Sequence, residues 1–172
     1  MNQPSQQHIE SWASGFIDGE GSFVIEVKRY RDGRQQDTYL RPKLAVHLRA
    51  DDIGSLHFLQ QAFGDAGYLY QRKRRKESTY GSISKPTVEC TWHSARSLAA
   101  VCALLDRCPL LGKKAKDYAI WRTAVDIALD TSVPSQSRQE KLWRLRDEIM
   151  EVRKYVAPEG QVRDEDGPTI GC

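Results

Sequence analysis

Apolar residues recur along this chain at two different spacings, and the changes of spacing divide it into elements. Ile9, Trp12, Ala13 and Phe16 stand at i, i+3, i+4 and i+7, the period of a helix with one buried face. They predict a helix over residues 5–18, ended by Gly19 and Gly21. The spacing then falls to two. Phe23, Ile25 and Val27 alternate with Val24, Glu26 and Lys28, and Leu40, Leu44, Val46 and Leu48 oppose Arg41, Lys43 and His47. These are half-buried strands over 22–28 and 39–49, with Asp32-Gly33 as turn chemistry between them and Pro42 weakening the early ladder of the second. The helical period returns at Ile53, Leu56, Leu59 and Phe63, predicting a helix over 52–63. Strands over 68–75 and 87–92 follow, and a third helix begins near Ser94. Pro109 breaks the chain before helices over 113–129 and 135–156, the last striped by Leu142, Leu145, Ile149 and Val152.

The order αββαββα, with further C-terminal helices, predicts an α+β fold: a four-stranded antiparallel sheet with helices on one face. One domain over 1–156 is expected, followed by a disordered acidic tail over 157–172.

Composition narrows the class. At 40% hydrophobic residues, 172 residues can bury a core. No apolar run approaches the roughly 20 residues of a membrane span, and the N-terminus lacks the basic and apolar regions of a signal peptide. An intracellular, non-secreted protein is therefore expected, with no membrane partner. The cysteines (90, 102, 108 and 172) form no CxxC pair; Cys90 with His93 alone has ligand-like spacing, which argues against a structural metal site. Cys90 and Cys102 read as small core residues.

Charge matters chiefly by where it lies. The net charge is +3. Residues 159–172 carry four acids and one base, so residues 1–158 hold a net +6, much of it in Arg72-Lys-Arg-Arg-Lys76. Such a patch suits a polyanion and equally suits a solvated strand end. The outward face of the sheet would carry Glu26, Lys28, Arg41, Lys43, His47, Tyr70, Arg72 and Arg74. This set could dock into a DNA major groove, where β-ribbons fit and Arg and Lys read guanine edges, or could simply be a polar outer face.

The stretch Ala13-Ser-Gly-Phe-Ile-Asp-Gly-Glu-Gly21, closing a helix and leading into a strand, separates these readings. It resembles the signature of the LAGLIDADG homing endonucleases, and residues 44–52, 63–68 and 109–118 resemble later blocks of that family at suitable spacings. The resemblance implies a site-specific double-strand DNA endonuclease, often intron-encoded, with a saddle-like sheet, that hydrolyses phosphodiesters across the minor groove and leaves 3′ overhangs. It implies a divalent metal site, Mg²⁺ in function with Mn²⁺ or Ca²⁺ able to occupy it in crystals, and no small-molecule cofactor. Glu20 and the Gly19 carbonyl would be the metal ligands, where the family more often has Asp in the place of Glu20. A carboxylate beside permissive glycines suits a hard ion that keeps several waters. Lys114, or Lys113 in its place, would stabilise phosphate charge as a second catalytic residue. Leu48 aligns with a usually polar position near the attacking water, so His47 or Arg49 would substitute.

The signature occurs once, which in this family implies a homodimer on a pseudo-palindromic target. The small helix face of Ser11, Ser14 and Gly15, with Asp18 bracing it, would be the subunit interface. DNA contacts are expected from Val24, Glu26, Lys28, Tyr30, Arg41, Lys43, His47, Tyr70, Arg72, Arg74, Arg75 and Glu89. A second class remains open: an RNA maturase or DNA-binding regulator of the same fold without cleavage. Retention of Glu20 discriminates against it.

Overall fold

The computed structural model describes residues 4–32, 35–72 and 85–154, without the side chains of 30–32, 35–37 and 72. Helix α1 (Gln6–Glu20) leads into β1 (Gly21–Asp32) and β2 (Gln35–Arg49). A short turn and α2 (Ile53–Ala62) precede β3 (Tyr68–Arg72) and β4 (Thr87–Trp92). Helices α3 (Ala95–Arg107), α4 (Lys114–Leu129) and α5 (Ser135–Val152) complete the chain. The expected tail over 157–172 lies outside the described residues, as do residues 73–75 of the expected third strand.

Local chemistry explains the starts of two helices. Ser5 caps α1 by accepting from the His8 amide at 3.3 Å. Ser94 and Ser97 form a reciprocal capping box at the start of α3. The end of α1 differs from expectation: the helix runs through Gly19 to Glu20, and Gly21 is its C-cap. A glycine costs a helix about 1 kcal/mol relative to alanine. Here the last turn is held from outside, by Lys114 on the Gly19 carbonyl and by the bonds of Asp18 described below.

The four strands form one antiparallel sheet in the order β1-β2-β4-β3. Period-two alternation puts Phe23, Ile25, Leu44, Val46, Val88 and Trp92 into the core, where helix side chains meet them. Trp121 of α4 is fully buried, with its ring 5.1 Å from Phe23. Trp12 of α1 stacks on Phe16 at 4.9 Å and meets Phe58 of α2 edge-on at 4.7 Å. Aromatic pairs of this kind add about 0.5–1.5 kcal/mol beyond simple burial. The stripes fray at their ends: Ile53 and Val152, expected in the core, are exposed.

Strand β4 pairs with β2 only over Leu44–Arg49, so β2 has an open edge nearer its start. Gln139 of α5 covers it. Its side-chain carbonyl accepts from the Leu40 amide at 2.6 Å and its amide donates to the Leu40 carbonyl at 3.2 Å, a two-point bridge in place of a strand neighbour.

Gly67 turns the chain from α2 into β3 with φ +111°, and a Cβ there would lie 2.7 Å from Trp92 Nε1. The same indole N–H donates to the Ala66 carbonyl at 2.8 Å. Gly67→Ala should therefore cost about 1–3 kcal/mol, measurable by urea unfolding. Unchanged stability would contradict this turn geometry.

Candidate active site

The chemistry collects where α1 ends and the sheet begins. Glu20 closes α1 and is exposed, with no hydrogen bond or ion pair among the described residues. It opens onto a cleft of ≈ 700 Å³ lined also by Phe16, His47, Leu48, Arg49 and Asp52. β2 thus brings three consecutive residues to the Glu20 cleft; Arg49 pairs with Asp51, and His47 Nε2 lies 3.1 Å from Glu89.

Lys114, the first residue of α4, reaches back to donate to the Gly19 carbonyl at 2.6 Å. Burial pulls its ammonium below the ordinary lysine value, while the charges of Glu20, Asp18 and Asp117 push the other way. Lys113 is exposed, one residue before the helix. Of the two lysines, Lys114 is the one brought to Glu20. The Gly19 carbonyl, expected as a metal ligand, here accepts from that ammonium; a carbonyl oxygen has a second lone pair.

Asp18 faces inward. Its Oδ2 accepts from the amides of Leu111 at 3.2 Å and Gly112 at 2.6 Å, tying the α3–α4 loop to α1. Gly112 is required for this approach, since a Cβ there would lie 2.8 Å from the carboxylate oxygens. Ser14 is buried and donates to the Pro109 carbonyl at 3.4 Å. The expected interface therefore divides: Ser14 and Asp18 are engaged within the chain, because the α3–α4 loop packs on that side of the helix, whereas Ser11 and Gly15 are exposed. Asp18→Ala should destabilise the fold by about 1–3 kcal/mol through two unmet amides, with Asp18→Asn recovering part of it. Thermal unfolding of the two variants checks this.

Strand register sets out the sheet face. Val24 stands opposite Lys43, Glu26 opposite Arg41, and His47 opposite Glu89, which stands opposite Tyr70. Glu26 sits among cations, 3.0 Å from both Arg41 Nε and Lys43 Nζ and 3.4 Å from Lys28 Nζ. Burial alone would raise its carboxyl pKa. Hydrogen bonds from Lys43 and Arg41 and the nearby lysine charges more than offset this and hold it below the usual carboxylate range. Glu89 is only 7% exposed and lies between His47 and Lys43, 4.0 Å from the latter. Lys28, Arg41 and Lys43 of this face are therefore tethered to two carboxylates, Glu26 and Glu89. The strands place Tyr30 opposite Asp37 and Arg72 opposite Thr87; the side chains of both, and all of Arg74 and Arg75, lie outside the described residues.

Sequence reasoning omitted Arg49 and Tyr68 from this face. Arg49 stands opposite Thr87, in line with Arg72, and Tyr68 opposite Thr91, 49% exposed and stacked on His93 at 4.8 Å. Continuing the period of two from His47 and from Tyr70 would have found both. Cys90 and Cys102 are buried in the core, and burial pushes their thiols up to about 12 and about 11.

Residues 13–125 match the family model described as LAGLIDADG endonuclease, and the chain belongs to that family. It is 30% identical over 154 residues to a probable intron-encoded endonuclease, Cox1-I1b, of Schizosaccharomyces pombe, covering 90% of this chain and 36% of that protein. The chain thus spans about a third of that relative. Among solved structures it resembles an archaeal intron-encoded homing endonuclease, I-Vdi141I, complexed with DNA, with TM-score 0.66, 15% identity and coverage of 90% of both chains. It also resembles I-SmaMI bound to uncleaved DNA target in the presence of calcium ions, with TM-score 0.61 and 22% identity, covering 82% of this chain and 45% of that one. At these identities the structures establish the shared fold.

Proposed function

We propose that this chain is a Mg²⁺-dependent, site-specific double-strand DNA endonuclease acting as a homodimer on a pseudo-palindromic target. The convergence of Glu20 and Lys114 at the end of α1, beside the cleft under β2, carries this reading. Among the described residues no three His, Cys, Asp or Glu side chains form a metal cage. One exposed carboxylate and a neighbouring carbonyl are the sparse set that suits Mg²⁺, which usually takes one or two carboxylates and completes its shell with water and substrate phosphate. Glu20, with Gly19, would hold the ion, which would supply Lewis-acid stabilisation of the phosphate and a more acidic water.

The chain's own groups do the rest. Lys114 sets a positive charge where negative charge builds on the phosphate oxygens. His47 and Arg49 border the cleft and orient water, the role that Leu48 lacks the chemistry to fill. The sheet face docks in the major groove: Glu26 and Glu89 hold the arginine and lysines in fixed directions, so less side-chain freedom is lost on binding. Each chain supplies one Glu20, so cutting two strands calls for two copies. The likeness to a DNA complex of nearly this length, and to a protein of about twice it, supports such pairing.

Conversion of a supercoiled plasmid carrying the target to linear DNA, with Mg²⁺ and not with EDTA, is the expected result. Linear product in EDTA would exclude the metal, and no product from a target bound tightly would favour a binding protein of the same fold.

A further inference from the structure

A second cleft, ≈ 620 Å³, lies between the start of α4 and the end of α5, lined by Lys113, Lys114, Lys116, Arg153 and Lys154 against one acid, Asp117. Its remaining lining includes Gly21 and Ser22, the two residues that directly follow Glu20. Asp117 is matched with Arg153 at 2.7 Å, and Arg153 also donates to the Phe23 carbonyl at 2.5 Å, which anchors the end of α5 to β1. Lys154 pairs with Glu151 at 2.6 Å in an exposed contact, worth little in water. Lys113 and Lys116 have no ion-pair partner among the described residues and are exposed. Cations gathered this closely repel one another, and the described fold gives Lys116 no packing or pairing role.

We propose that this groove holds backbone phosphates of double-stranded DNA flanking the cleavage point, as a sequence-independent clamp beyond the sheet face. The proposal rests on the endonuclease reading. Lys114 lines this groove and donates to the Gly19 carbonyl, next to Glu20, so a strand whose phosphate meets Glu20 runs on along Ser22 into the lysine groove. Contacts of this kind position the duplex without reading bases.

The test is the salt dependence of binding to an arbitrary-sequence DNA duplex, comparing the wild type with Lys116→Gln/Lys154→Gln. Each lost phosphate contact should flatten the slope of log K against log salt by about 0.9, so the double variant should be shallower by about 1.8. Lys141→Gln/Arg144→Gln removes the same charge from exposed positions of α5 outside the groove and should leave the slope nearly unchanged. An unchanged slope in the groove variant, or an equal loss in both, overturns the proposal. A loss seen on an RNA duplex and absent on DNA assigns the groove to RNA and overturns it too. Failure of the wild type to bind any duplex would remove the endonuclease reading itself, an outcome distinct from the others.

Discussion

Glu20→Gln is expected to abolish Mg²⁺-dependent cleavage while leaving DNA affinity and fold stability almost unchanged. Glutamine keeps the length of the side chain and loses the charge that makes it a ligand for a hard cation. Changing a residue that merely orients a metal ligand costs about 10–100-fold in activity, and loss of the ligand itself should exceed that. Stability should move by less than about 0.5 kcal/mol, because Glu20 is exposed and makes no hydrogen bond or ion pair among the described residues. Its charge does help hold Lys114 protonated, so the variant's Lys114 pKa should fall further below the ordinary value. Binding should persist because affinity comes mainly from phosphate and base contacts elsewhere. Plasmid cleavage beside a gel-shift titration checks both halves, and retained Mg²⁺-dependent cutting would remove Glu20 from the mechanism.

The second large effect concerns assembly. Gly15 is exposed on α1, and a Cβ built there meets nothing within 4 Å. Within a single chain, then, Gly15→Leu has room, and replacing a helical glycine should add up to about 1 kcal/mol of stability. If two copies of α1 pack side by side, the same leucine forces the backbones apart, since small residues are what permit close helix approach. The expected outcome is a chain at least as stable to heat as the wild type whose self-association weakens by more than about tenfold, or 1.4 kcal/mol. Sedimentation equilibrium with circular dichroism separates the two effects. A variant that gains stability and still dimerises would place the subunit contact elsewhere than at Gly15.

The alternation of Phe23, Ile25 and Val27, and the helical stripe of Ile9, Ala13 and Phe16, made the element order legible because each pattern is local. The acidic step at Asp18 and Glu20 was legible for the same reason: two acids, glycines and a following strand are all neighbours in the chain. Where α1 ends was misjudged by two residues. Glycine's helix penalty is a local quantity, whereas Lys114 and the loop at Leu111 and Gly112, which hold that last turn, arrive from more than 90 residues away. The choice between Lys113 and Lys114 could not be made from adjacent positions in sequence, and the direction of one helix start decides it.

By itself, then, the sequence determined the order of elements, most of the residues that face the core, and the carboxylate that closes the signature, because burial periodicity acts over a few residues. Only the tertiary structure decided that Ser14 and Asp18 are engaged inside the chain, that Glu26 and Glu89 bind the sheet's cations, and that lysines of α4 meet the end of α5 in one groove. Apart from Glu26 with Lys28, those are pairings across 15 to almost 100 residues, whose partners are set by the packing of elements and leave no periodic trace along the chain.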